Sequence, residues 1–447
     1  MHDLRKQVLL ESGKTLSRKA RSKQVTPSSS RANSAAPSGA GSRIPSRNVS
    51  DDEGDLSDGT QWSSNSLDEL ITRDPVDAVD ATPEVWIADL HDRMNEVCDR
   101  KRSSAQGRED GLVGFIARLT RHYAQAEISR KMDELVPAIL KSVKSGQTEK
   151  ETGLALSALA LIVVTDPSET IYDTVCGPIR TVITDGQHPQ AKIAGIHSLS
   201  VATFYGGATM DETEEVMDFF LDIVSSDGAM IEEADNAQIV TAALEEWGFL
   251  ATQLDDMEES TEVAMDTFVD QLESSSVGVQ VAAGENIALL YEKSHTEVES
   301  DDEPEPEDPD AEMEPSNANG PRMVKRYTVY RQQHQLTQAL ESLAKASSKR
   351  LSKRDRKQLH LAFSDILNTV EKPTRGPRYS TARDDEGKEY GSRLKITIPG
   401  GAKMTIDKWW KLHRFNGLKR LLRSGFLEHY EQNEVVFDSL PVIVEDE

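Results

Sequence analysis

Between residues 148 and 294 the apolar positions follow one helical pattern four times over. GLALSALAL from Gly153, IAGIHSLSV from Ile193, VTAALEEWGF from Val240 and QVAAGENIAL from Gln280 align. One column holds Ala155, Gly195, Ala243 and Ala283, and a second holds Ala160, Ser200, Gly248 and Ala288. Beside the second runs a large apolar column of Leu161, Val201, Phe249 and Leu289. The spacing of about 40, 48 and 40 residues falls in the range of armadillo and HEAT repeats. Three of the four segments are followed by a shorter amphipathic helix. Small side chains let backbones approach, and large ones fill the gap. A single pair cannot bury its apolar face alone, so the pairs must stack. The expected fold class is all-α: an armadillo/HEAT-like α-solenoid with a small C-terminal hairpin-plus-helix module and a disordered N-terminal tail.

The same reading divides the rest of the chain. Residues 1–63 form a tail, basic and then acidic, and 64–295 hold the helical repeats. Residues 296–320 are an acidic disordered loop interrupted by Pro304, Pro306, Pro309 and Pro315, a composition that repels itself and stays extended. Residues 321–372 are a basic helical segment of two helices, 373–392 a linker, and 393–447 a hairpin and basic helix module. Leu394, Ile396 and Ile398 alternate on one side of Pro399-Gly400-Gly401, and Met404 and Ile406 on the other, which predicts a β-hairpin. Helix starts are expected at Thr82-Pro83, at Asp166 with Glu169 as a capping box, and at Asp211 with Glu214. Asp407 is expected to cap the last strong helix, which ends near Gly425.

Charge changes this picture because it is segregated. The formal net charge is −26, yet residues 1–47 and 322–423 are basic and 51–314 strongly acidic. Screening confines the acidic repulsion to roughly 8–10 Å, so the basic segments can bind phosphate on their own. Lys345, Lys349, Arg350, Lys353, Arg354, Arg356 and Lys357 crowd one helical connection with only Asp355 to offset them. A solvated face and a phosphate contact both fit that density. The last helix interleaves Lys408, Lys411, Arg414, Lys419, Arg420 and Arg423 with Trp409 and Phe415. Those aromatics serve either to stack on RNA bases or to dock the helix on the hairpin. The basic run 12–23 serves as a solubilising tail or as a nuclear-import or RNA contact. Ser50 and Ser57, flanked by acids, are candidate phosphorylation sites in what is otherwise a solvated acidic linker.

Catalytic signatures are missing from the sequence. His91, His122, His188 and His197 lack a metal-ligand rhythm, and no G-x-S-x-G nucleophile motif occurs. Cys98 and Cys176 allow no disulfide framework and read as core thiols of a reducing compartment. Residues 1–6 lack a signal-peptide pattern. The longest nearly apolar run, 154–164, falls short of the ~20 residues of a membrane helix. No enzyme, cofactor, metal, membrane association or small-molecule substrate is expected.

Three sets of residues carry a family resemblance. The first is Ser50-Asp51-Asp52-Glu53 leading into Leu67-Asp68-Glu69. The second runs from Leu343-Ala344-Lys345 through Ser352-Lys353-Arg354-Asp355-Arg356-Lys357-Gln358 to Phe363-Ser364-Asp365-Ile366-Leu367. The third comprises Leu394-Lys395-Ile396, Asp407-Lys408-Trp409, Leu418-Lys419, Ser424-Gly425, Asn433-Glu434 and Val436-Phe437. Together they resemble the interferon-related developmental regulator family, in a fungal- or plant-type form. The tail and the acidic insertion at 297–315 depart from its pattern. The resemblance implies a non-enzymatic regulator of gene expression in the cytoplasm and nucleus, of a family described both as ribosome-occupying factors and as transcriptional co-regulators. Two functions follow as expectations. In one, the solenoid binds protein complexes while the basic C-terminal helices bind ribosomes and rRNA. In the other, the chain is a nuclear adaptor that binds protein complexes only.

Overall fold

Helices form where small and large apolar residues recur at helical spacing, and several stop at a glycine or a polar residue, such as Gly146, Asp166, Gly186 and Gly206. The computed structural model describes residues 83–100, 103–297, 323–345, 351–383, 389–397 and 403–441, all within one compact unit, 60–447. The first helices are α1 (Pro83–Cys98), α2 (Ala105–Arg121), the short α3 (Gln125–Ser129) and α4 (Met132–Ser145). There follow α5 (Glu149–Thr165), α6 (Ile171–Asp185), α7 (Pro189–Tyr205), α8 (Met210–Ser225), α9 (Ala237–Ala251), α10 (Glu258–Gln271) and α11 (Val277–Lys293). Strands β1 (His295–Glu297) and β2 (Met323–Lys325) lead to α12 (Gln333–Ala344) and α13 (Lys353–Glu371).

Helices α2, α5, α7, α9, α11 and α13 stack side by side into one inner row. Each takes an outer partner from the helix before it: α1, α4, α6, α8, α10 and α12. The four aligned segments are α5, α7, α9 and α11, and every residue of the three aligned columns is buried. Inner helices α5, α7, α9 and α11 are buried on nearly all sides, whereas α6, α8 and α10 bury one stripe each, such as Val216, Met217, Phe220, Leu221 and Val224 of α8. The all-α solenoid expected from the repeat is therefore the observed architecture.

The row does not end at the acidic segment. β1 and β2 pair antiparallel, Thr296 opposite Val324, and bring the two ends of that segment together. Chain direction is thereby restored, and α12 and α13 stack on α11 as a further repeat. Gly284 of α11 faces Ile366 and Phe363 of α13, where a Cβ would sit 2.7 Å from Ile366 Cδ1.

Several helix starts differ from expectation. Asp166 closes α5 and accepts hydrogen bonds from Ser129 Oγ at 2.7 Å and Gln125 Nε2 at 3.1 Å, while α6 starts after Thr170. The capping box before α8 is Thr209 with Glu212, two residues earlier than expected, because Thr209 has the extended backbone a cap needs. Pro83 opens α1, and Thr82 lies outside the described residues. Cys98 and Cys176 are only partly buried, at the edge of the core.

The C-terminal segment begins with two strand pairs. β3 (Tyr379–Arg383) pairs with β4 (Glu389–Ser392) inside the stretch read as a linker, and β5 (Lys395–Thr397) pairs with β6 (Lys403–Thr405) as the expected hairpin. Helices α14 (Trp409–Leu422), α15 (Phe426–Gln432) and α16 (Glu434–Ser439) then run back across the inner row as a strap. Trp409 Nε1 donates to Thr369 Oγ1 of α13 at 2.7 Å. Further along, His429 Nε2 meets the Leu119 carbonyl of α2 at 3.0 Å, Asn433 Nδ2 donates to the Val164 carbonyl of α5 at 2.9 Å, and Tyr205 Oη meets Ser439 Oγ at 2.8 Å.

The turn between α14 and α15 comes so close to α2 that a Cβ on Gly425 would lie 1.7 Å from the Thr120 carbonyl oxygen. Gly425→Ala is therefore expected to lower the urea midpoint and to expose the 423–440 segment to limited proteolysis. Gly177, inside α6, provides the contrast, because a Cβ added there would meet nothing within 4 Å. Gly177→Ala should raise stability by up to about 1 kcal/mol through helix propensity.

Candidate nucleic-acid interface

The basic residues picked out by sequence separate into two groups. At the start of α13, Ser352 caps the helix in a box with Asp355, and Lys353, Arg354 and Lys357 are exposed there. Arg356 is partly buried, with its Nε unpartnered. Lys349, Arg350, Ser50 and Ser57 lie outside the described residues.

On α14 the cations are largely committed to the fold. Arg420 donates to both Glu245 and Glu246 of α9. Glu246 is buried, and His197 Nδ1 lies 2.6 Å from it. Burial opposes the charge on Glu246, but Arg420 and His197 outweigh it and hold the carboxyl below its usual range. Arg414 donates to Thr252 Oγ1 and the Thr252 carbonyl, both at 2.9 Å, and lies between the rings of Phe204 and Trp410 at 5.2 and 5.0 Å. Lys411 pairs with Asp407 at 2.6 Å, and Lys419 sits 5.5 Å over Phe415. Lys408 lies beside Glu292, and Arg423 is a partly buried left-handed residue (φ 49°) that closes α14. Arg414 and Arg420, expected from sequence to contact RNA phosphate, have their guanidinium groups engaged in holding the strap to α9 and to Thr252 just after it.

Trp409 and Phe415 are buried, which removes them from base stacking. Trp409 docks α14 on α13 of the helical row rather than on the hairpin, and Phe415 packs edge-on to Phe426 within the strap. Asp407 does not cap α14. That role falls to Glu292 of α11, whose carboxylate accepts from the backbone N–H of Trp409 at 2.8 Å and of Trp410 at 3.1 Å. Burial pushes the Glu292 carboxyl up, against Lys408 and these two N–H groups, which favour its charge. Glutamates inside otherwise apolar inner helices were the available signal for these contacts.

A second acidic junction lies where α11, α13 and α14 meet. Burial, with Glu245 and Asp365 nearby, pushes the Glu285 carboxyl up to about 8, while Arg378 pulls the other way. Burial likewise raises Asp365 to about 6, against Arg378, whose Nε lies 3.6 Å away. His413, next to the Glu285 carbonyl at 3.5 Å, is held down to about 4 by burial.

A row of stacked helix pairs with a self-docked C-terminal strap defines this chain as a helical-repeat protein. Against known families, residues 56–371 match the interferon-related developmental regulator (IFRD) model. The chain therefore belongs to the interferon-related developmental regulator family. It is 26% identical to an uncharacterized protein of Schizosaccharomyces pombe over 83% of this chain and 78% of that one. It is 23% identical to interferon-related developmental regulator 1 of Mus musculus, over 77% of this chain and 70% of that one. With interferon-related developmental regulator 2 of Mus musculus it shares 22%, over 77% and 71% of the two chains. Among the described residues no helix is long and apolar enough to cross a membrane.

Two substitutions test the role of the strap. Arg420→Met leaves Glu246 buried with His197 and the Ser200 hydroxyl, and should cost about 2–3 kcal/mol in urea unfolding, less than the ~3–5 of a wholly orphaned charge. Lys345→Met, which breaks an exposed pair with Glu341, should cost less than about 0.5 kcal/mol. The pH dependence follows from Glu285. Its folded-state pKa lies above that of an unfolded glutamate, so folding binds a proton and stability falls as pH rises through the folded value. Above about pH 6.5 unfolded histidines are largely neutral too, leaving Glu285 dominant. Tm should drop between pH 6.5 and 8, and Glu285→Gln should flatten that slope.

Proposed function

We propose that this chain is a non-enzymatic regulator of gene expression that binds ribosomal RNA phosphate through the start of α13 and protein through its acidic outer helices. Membership of a regulator family supports the first part. The observation that carries the second is the placement of Lys353, Arg354 and Lys357, exposed in the first turns of a helix. A helix N-terminus favours anions, so cations there are set against its dipole by about 0.3–1 kcal/mol each. A bound phosphate relieves that repulsion and takes up the free N–H groups at the same time. On this reading the chain works without a cofactor, in the cytoplasm and nucleus.

A nuclear adaptor that binds protein complexes only is the second reading, and the acidic faces of α8 and α10 favour it. The two part in one measurement. Lys353→Glu/Arg354→Glu/Lys357→Glu should lower ribosome co-sedimentation about tenfold at moderate salt. The slope of log affinity against log salt should shrink by about 0.7–0.9 for each phosphate no longer neutralised. Unchanged sedimentation overturns the assignment of this surface, and no sedimentation of the wild-type chain favours the adaptor.

A further inference from the structure

Residues 193–292 contain no lysine and no arginine, against 22 aspartates and glutamates. Within that stretch a cleft of about 410 Å³ opens between the loop after α8 and the turn after α10. Asp227, Asp235, Asp270 and Glu273 line it, and Ala237, Val240 and Val279 give it an apolar wall. Ser225 and Gln271, the last residues of α8 and α10, also line it, as do Ala237 and Ser276 at the starts of α9 and α11, so the helix ends offset one another and the carboxylates set its charge. Asp227 accepts from Gln271 Nε2 at 2.7 Å, which holds the loop against α10. None of the four carboxylates has a cationic partner among the described residues.

The shape and chemistry narrow the ligand. Among the described residues no three acidic, thiol or imidazole groups converge closely enough to hold a metal ion. The cation that suits carboxylates spread around an apolar wall is extended, with an aliphatic stem and a charged head. Lysine and arginine side chains have that form: the stem lies on apolar surface and the head reaches the acids. The surrounding acids on α8 and α10, including Asp211, Glu214, Glu215 and Glu262, extend the field over a longer segment and speed its capture.

We propose that this cleft binds the basic side chains of a Lys/Arg-rich polypeptide. It names the partner class for the protein-binding half of the function proposed above, and rests on that half alone.

The test titrates the full chain with a fluorescent peptide of alternating arginine and glycine, at low and moderate salt, by anisotropy. Asp235→Asn/Asp270→Asn/Glu273→Gln should weaken binding about tenfold, or about 1.4 kcal/mol. Asp211→Asn/Glu214→Gln/Glu215→Gln removes the same charge at the far end of α8 and should weaken it less than about threefold. All six side chains are exposed or at the rim, and matching melting curves verify the fold. Equal losses in the two variants mean a diffuse field and overturn the cleft. So does a wild-type chain that binds the peptide no better than one of alternating serine and glycine. Ribosome co-sedimentation of the cleft variant is run in parallel. It should be unchanged, so failure of the RNA surface on α13 leaves the peptide result intact, and the reverse holds too.

Discussion

Two buried glutamates hold this structure together in a way its repeats alone cannot. Glu246 and Glu292 are buried on largely apolar inner helices, and each is matched by the strap: Glu246 by Arg420, and Glu292 by the N-terminal amides of α14. A carboxylate left unpaired in such a place costs several kcal/mol. The inner row therefore needs the strap as much as the strap needs the row. A repeat array ordinarily couples only neighbours, and its stability is a near-sum of local terms. Here one segment touches α13, α11, α9, α7, α5 and α2 in turn. Contacts such as Asn433 to the Val164 carbonyl join positions far apart in sequence, so repeats that never meet are made to unfold together.

The same principle sorts the charges. Cations facing the inner row are drawn into it: Arg414 by Thr252 and two aromatic rings, Arg420 by paired carboxylates. Lys353, Arg354 and Lys357 at the start of α13 face solvent instead. Acids divide likewise. Glu245, Glu246 and Glu292 serve the strap, while the outer faces of α8 and α10 keep their acids exposed, with Glu262 meeting Arg331 at 3.5 Å. Overall charge hides this division, because a residue's role depends on whether its helix is inner or outer.

The repeat itself was legible in the sequence because burial on all sides leaves a mark on every turn. Ala155, Gly195, Ala243 and Ala283 could be aligned before any fold was known, since only small residues let inner helices approach. The strap was half legible. Its apolar stripe predicts a helix, but periodicity says which residues face inward and not what they face, so Thr369 as the partner of Trp409 is not legible in it. Helix starts slipped by one to four residues where several polar groups competed: Asp166 had the right chemistry for a cap but ended the preceding helix. The β3–β4 pair was missed because Tyr379–Arg383 shows little alternation, its outer residues being exposed. At α14 a density of cations looked like a phosphate surface. Burial, which decides between an ion pair and a binding site, follows from the partner helix, and that helix lies some 170 residues earlier.

Filling the inner stripe has a consequence for recognition. An open solenoid offers the stripe along its inner helices to extended peptides, but here that stripe is covered from Thr369 to Thr120 by the chain's own C-terminal segment. Release would strand Glu246, Glu292 and the ring of Trp409, a cost that a single weak partner does not repay. Binding is thereby directed to surfaces that need no rearrangement. Among the described residues, the cationic start of α13 and the acidic outer helices concentrate exposed charge without such a release. They are opposite in sign and built on separate repeats, and a rigid strapped row fixes their separation. Neither needs the strap to move, so what occupies one need not disturb the other.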